Sequence, residues 1–169
     1  PDNSTMYEKR SDPFYESFNF IIPGFNIRPL EMEGAIGQEQ LKKMDGMISQ
    51  RRKNAEYFKE KMQKFVDIRI QKEIGESSWF GFALLLQGKL VGQRDKIVHA
   101  LRENGIETRP IVAGNFTRNK VIEYMDYSIP EQLINADDIH FNGFFIGNHS
   151  ANNNKEIDYF IDILEAAIK

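Results

Sequence analysis

Cysteine is absent from the 169 residues, which excludes disulfides, thiolate nucleophiles and cysteine-ligated metals. That absence fits a cytoplasmic setting. No apolar run approaches the roughly 20 residues that span a bilayer, and the start carries no signal-peptide pattern, so no membrane partner is expected. Net charge is -3 and no long basic run occurs, so nothing supplies a general affinity for nucleic acid. Glycine-rich phosphate loops, internal repeats and low-complexity tracts are also missing. No serine-histidine-acid pattern, metal cluster or general-base pair stands out. His99 falls on a helical pattern and reads as a surface or packing histidine. His149 follows a strand in a loop, a position more often functional, but a lone histidine is weak evidence.

What remains is the composition of an ordinary globular protein, 41% hydrophobic and 28% charged, long enough for one domain with a real core. The stretch from Gly105 to Phe116 organises the reading. A helical pattern from Arg94 to Asn104 stops at Gly105, as helices ending in a left-handed residue do. A short strand, Ile106 to Arg109, is predicted next. In it Glu107 and Arg109 alternate with Ile106 and Thr108 and so share a face. Spacing alone favours an exposed strand-end ion pair. The alternative is a carboxylate and a guanidinium that together read a nucleotide sugar.

Along the chain, residues 1 to 20 read as a polar tail ending in an aromatic cluster. Phe14, Tyr15, Phe18 and Phe20 need the domain, a partner chain or another part of the same protein to cover them. Packing explains Phe18 better than stacking on a planar ligand. Asn26 and Arg28 precede a helix that Pro29 is suited to start; the site favours an anion, or Asn26 merely caps a turn. That helix carries Leu30, Ala35, Ile36, Leu41 and Met44, with Gly34 and Gly37 permitting close approach of another helix. A second helix from about Asp45 to Phe65 places Met47, Ile48, Ala55, Phe58 and Met62 near one stripe and leaves Arg51, Arg52 and Lys53 solvated. Val66 to Gln71 reads as a strand, and the apolar run Trp79 to Leu86 as a central one. Short helices are predicted over Arg118 to Asp126 and Pro130 to Phe141, a strand over Phe144 to Ile146, and a last amphipathic helix over Lys155 to Ile168. Without further information this is a ligand-binding or dimer-forming α+β domain.

Several motifs point further. Pro23 to Lys43 (Pro-Gly-Phe-Asn-Ile-Arg-Pro-Leu-Glu-Met-Glu-Gly-Ala-Ile-Gly-Gln-Glu-Gln-Leu-Lys-Lys) resembles the segment leaving the large domain of the DegT/DnrJ/EryC1/StrS sugar aminotransferase family. Glu76 to Phe82, Thr108 to Phe116 and Gly147 to His149 resemble its dehydratase branch, and the resemblance runs from Phe14 nearly to the end. It implies an α+β fold: the small, carboxy-terminal domain of an aspartate-aminotransferase-type enzyme, with a short, mostly antiparallel sheet, helices packed on it and a long helix in front. Residues 1–28 would belong to the large domain and residues 29–169 to the small one.

The same resemblance implies a pyridoxal or pyridoxamine 5'-phosphate enzyme that removes the C3 hydroxyl of a GDP-linked 4-keto-6-deoxy sugar in lipopolysaccharide biosynthesis. It places Asn26 at the cofactor phosphate of a neighbouring subunit in a homodimer, with Arg28 beside it. Phe18, Glu107, Arg109, Asn115, Phe116 and His149 fall at nucleotide-sugar positions. Guanine suits Glu107, because its N1–H and N2–H donors can meet both carboxylate oxygens and cytosine has no such pair. Family members are more than twice this long, and their amino-terminal part supplies most of the cofactor pocket and the catalytic base. This chain resembles their carboxy-terminal third to half. By itself it is expected to bind no cofactor stably and to be inactive. A sugar 4-aminotransferase of the same family, or a non-catalytic binding or dimerisation module, are the alternatives.

Overall fold

In a computed structural model of the chain, residues 12–16, 18–25, 30–129 and 131–169 are described. They form a single turn α1 (Pro13–Glu16) and helices α2 (Glu31–Leu41) and α3 (Met44–Met62). Strands β1 (Ile68–Ile70) and β2 (Gly81–Leu86) come next, followed by α4 (Arg94–Glu103), α5 (Ile134–Asn142), β3 (Gly143–Gly147) and α6 (Asn154–Ala167). The three strands make one antiparallel sheet in the order β1-β2-β3. The apolar run is thus the central strand, and the architecture is the α+β one expected.

Alternation along β2 sends Phe82, Leu84 and Leu86 into the core, where each is essentially inaccessible. Phe58 of α3 stacks on Phe82 at 3.9 Å between ring centroids. Val98 and Leu101 of α4 and Ile157, Phe160, Ile161 and Leu164 of α6 complete the cluster. The stripe on α6 matches the pattern predicted for it. Glycine makes two close approaches possible on the sheet's other face. A Cβ on Gly81 would lie 2.6 Å from the Ile146 carbonyl and strike the Phe145 ring, and one on Gly143 would lie 2.5 Å from the Ile139 carbonyl.

Part of the aromatic start is covered by this same chain. Phe14 is a core residue, and the buried Arg94 guanidinium sits 5.0 Å from its ring and 4.7 Å from that of Tyr15. Phe20 and Phe25 remain 42% and 95% exposed. On α2 no residue is buried, and nothing among the described residues comes within 4 Å of a Cβ built on Gly34 or Gly37. The close helix approach expected there is therefore not made among the described residues.

Three expectations need correction. The strand predicted over Ile106 to Arg109 reduces to one rung, Arg109 opposite Phe145. The helix predicted over Arg118 to Asp126 is instead two 3-10 turns, Phe116–Arg118 and Lys120–Tyr124, whose tighter winding suits a segment interrupted by caps. The basic triplet is not simply solvated. Arg51 Nε donates to the Asn148 carbonyl at 3.2 Å and Arg52 Nε to the Ser77 carbonyl at 2.9 Å, leaving only Lys53 on the wet face.

Candidate functional site

The site begins where the sheet stops closing. Arg109 and Phe145 exchange both backbone hydrogen bonds, N–H to O=C at 2.9 and 2.7 Å. In an antiparallel ladder the next such rung falls two residues on, between Glu107 and Gly147. It does not form. Ile106 is instead drawn back toward α4, its N–H donating to the Leu101 carbonyl at 3.0 Å, and Arg102 clamps the buried Thr108 through its hydroxyl and carbonyl at 2.9 and 2.8 Å. The segment splays from β3 and opens a groove of about 750 Å3 toward the start of α6, a volume suited to a small organic ligand.

Glu107 and Arg109 stand together at this groove, as their alternation predicts. Arg109 donates from Nε and Nη2 to one oxygen of Glu107 at 2.8 and 2.6 Å. The second carboxylate oxygen has no partner among the described residues. His149 lines the same groove, exposed, its Nδ1 accepting from the Ala151 N–H at 3.2 Å. So do Arg51, Phe80, Asn148 and Asn153, which sequence reasoning did not single out as ligand-facing.

A buried polar network fixes the loop that carries His149. Asn54 of α3 is fully buried, and its Nδ2 donates to Asn148 Oδ1 at 3.0 Å, to the His149 carbonyl at 3.1 Å and to the Ala151 carbonyl at 2.7 Å. Asn148, itself buried, donates to the Arg51 and Trp79 carbonyls at 3.0 and 2.8 Å. Every strong donor here has an acceptor, the condition under which buried amides stabilise a unique arrangement.

The other predicted residues lie elsewhere. Phe18 is half-buried beside a cleft of about 10 Å3, with Tyr15, Pro110, Val112, Asn119 and His140, room for about one water. Asn115 is buried; it donates to Asp137 at 2.7 Å and accepts from the Thr117 N–H and hydroxyl at 3.1 and 2.7 Å. Phe116 is 40% exposed and tilts against Phe20 at 6.1 Å. Asn26 and Arg28 lie outside the described residues. The structure therefore gathers Glu107, Arg109 and His149, and sets Phe18, Asn115 and Phe116 apart from them.

Electrostatics differ between the two regions. Hydrogen bonds from Arg118 and then Asn115 hold the Asp137 carboxyl down to about 2. Burial, aided by the positive charges of Arg118 and Arg94, lowers the pKa of His140. No group of three or more histidine, aspartate or glutamate residues suited to a metal occurs among the described residues.

Comparison with known proteins accords with this fold. The chain is 50% identical over 164 residues to GDP-4-keto-6-deoxy-D-mannose 3-dehydratase of Yersinia pseudotuberculosis, covering 96% of this chain and 42% of that protein. It superposes with a TM-score of 0.77 on the E. coli GDP-4-keto-6-deoxy-D-mannose-3-dehydratase solved with bound hydrated PLP, at 48% identity, covering 92% of this chain and 40% of that one. A histidine-to-asparagine mutant of GDP-4-keto-6-deoxymannose-3-dehydratase, solved with bound GDP-perosamine, matches at 48% identity and a TM-score of 0.78, with 92% and 41% covered. The chain thus spans about two fifths of the length of these relatives. Residues 3–165 match one family throughout, and the chain belongs to the DegT/DnrJ/EryC1/StrS aminotransferase family.

Proposed function

We propose that this chain is the carboxy-terminal portion of a GDP-4-keto-6-deoxymannose 3-dehydratase-like enzyme of lipopolysaccharide deoxysugar synthesis, and that its groove holds the nucleotide end of the sugar nucleotide. The observation that carries the reading is the Glu107–Arg109 pair at the splayed sheet edge, in a chain 50% identical to a GDP-sugar dehydratase. Glu107 keeps one oxygen free for a base donor while Arg109 supplies guanidinium N–H groups to a carbonyl or ring nitrogen. Guanine sets two adjacent donors, N1–H and N2–H, beside its O6 acceptor and so offers the carboxylate a donor pair while Arg109 takes the carbonyl; cytosine has one donor group, N4–H, beside its acceptors and lacks the pair. His149, across the groove, serves the same ligand.

Phe18, Asn115 and Phe116 as sugar contacts, and Asn26 and Arg28 as cofactor-phosphate contacts, rest on the family resemblance. So does the division at residue 28 between large-domain and small-domain parts. The described residues do not by themselves fit pyridoxal 5'-phosphate. A protonated pyridine nitrogen calls for a buried carboxylate, whereas the groove's carboxylates, Glu107 and Glu156, are both exposed. Two copies pair through the exposed apolar segment that includes α2, as the homodimer implied by the family would require.

Calorimetric titration of the 169-residue chain tests the nucleotide reading. GDP should bind more tightly than CDP, and GDP-4-keto-6-deoxymannose with pyridoxamine phosphate and glutamate should give no deoxysugar. Equal affinity for the two nucleotides, or none for either, sinks the assignment of Glu107 and Arg109.

A further inference from the structure

The turn that leads into β2 has an uncommon backbone. Trp79 has a φ of 51°, a left-handed conformation that a bulky L-residue holds only when its surroundings impose it. They do so here. The Trp79 N–H donates to Ser77 Oγ at 3.0 Å, its carbonyl accepts from Asn148 Nδ2 at 2.8 Å, and the Lys59 ammonium sits 4.3 Å over the indole. The consequence is a reversal of side-chain direction between neighbours: Trp79 is 2% exposed and Phe80 is 67% exposed.

Phe80 is displayed, but not loosely. Its ring stacks on Phe145 at 6.0 Å and 24°, a spacing that displaces the rings and leaves a stepped aromatic shelf. The Phe145 ring in turn lies across Gly81, where any Cβ would collide with it. Phe145 is also the residue paired with Arg109, so in an antiparallel rung their side chains share a sheet face. The shelf therefore runs up to the Glu107–Arg109 pair, and both line one groove. Arg51 lies over the Phe80 ring, its guanidinium carbon 5.6 Å from the centroid, and its Nη groups have no partner among the described residues. A cation at the shelf suits the phosphates a nucleotide carries, and a base stacking on Phe80 takes the face that Arg51 then leaves for them.

We propose that Phe80, turned outward by the left-handed Trp79, is the stacking face for the nucleobase whose edge Glu107 and Arg109 read. This rests on the groove being a nucleotide site, and it divides the labour. Stacking accepts any base because every base has a π-face, whereas the charged pair discriminates between bases.

The test is titration of GDP and ADP into the wild type, Phe80→Ala, Phe80→Leu and Glu107→Gln, with near-ultraviolet circular dichroism to verify the fold of each. Phe80→Ala should weaken GDP and ADP by the same factor, about tenfold, leaving their ratio unchanged. Phe80→Leu keeps apolar bulk without a ring and should weaken both as well. Glu107→Gln should instead reduce the preference for GDP. Wild-type affinity in Phe80→Ala or Phe80→Leu would overturn the stacking role and leave the groove's function standing. No nucleotide binding by the wild type would overturn both.

Discussion

A fully buried asparagine is expensive unless each of its polar atoms is matched, and Asn54 meets that condition by gripping a distant loop. Truncating it takes the loop's principal donor from the Asn148 amide oxygen and from two carbonyls, leaving Asn148 Oδ1 and the His149 carbonyl only the longer bonds from Asn153 at 3.4 and 3.2 Å. Asn54→Ala should therefore cost about 2–4 kcal/mol of stability, read from guanidinium denaturation, and should weaken nucleotide binding through the displaced loop. A cost below about 0.5 kcal/mol would show that the network is incidental. The residue was not picked out in the sequence, although a signal existed. Asn54, Phe58 and Met62 recur at i, i+4 and i+8, so a polar residue occupies the buried stripe. Phe80 is a harder case. It lies inside the apolar run read as the central strand, and nothing in the letters reveals the left-handed Trp79 that turns it outward.

Among elements, the segment from Phe116 to Tyr124 is held to α5 by one charged node. Asp137 accepts from Arg118 Nε and Asn115 Nδ2, both at 2.7 Å. Its pKa in the fold is about 2, below the ordinary 3.8, chiefly because of the Arg118 bond. A depressed carboxyl stabilises the fold above its ordinary pKa and loses that contribution as pH falls through the folded value. Asp137→Asn should accordingly melt below the wild type at neutral pH, and the gap should close between pH 3.8 and about 2. The other lowered carboxylates, Glu73, Asp158 and Glu165, are common to both proteins and cancel in the comparison. A gap constant down to pH 2 would place the effect in packing rather than charge. At this scale the strands and long helices were legible because their apolar periods are long. The 3-10 turns were not, since five or fewer residues carry too little periodicity. The edge strand failed for another reason: alternation predicted the facing of Glu107 and Arg109 correctly, but a competing bond from Ile106 to Leu101 ends the ladder after one rung.

At the scale of the whole molecule, burial is uneven. The core joins α3, α4, α6 and the sheet, whereas Ile22, Phe25, Leu30, Met32, Ile36 and Leu41 are all more than half exposed. An isolated helix of α2's length is marginal in water, and a run of exposed large apolar residues favours association. Light scattering over a concentration series should therefore show a dimer accumulating, and Ile36→Glu should shift it toward monomer. A chain that stays monomeric at high concentration would remove α2 as a pairing surface. The α+β class and the family were legible from the central run and four short motifs, while the groove was not, because it arises where two non-adjacent segments part. How the His149 loop is fastened has a bearing on what the groove can become. Asn54 holds main-chain oxygens of His149 and Ala151, not their side chains, so exchange at those positions leaves its tether intact and, at His149, removes only the bond from the Ala151 N–H to Nδ1. The molecule keeps attachment and readout on separate atoms, which makes this rim a natural place to install a new ligand preference without rebuilding the scaffold beneath it.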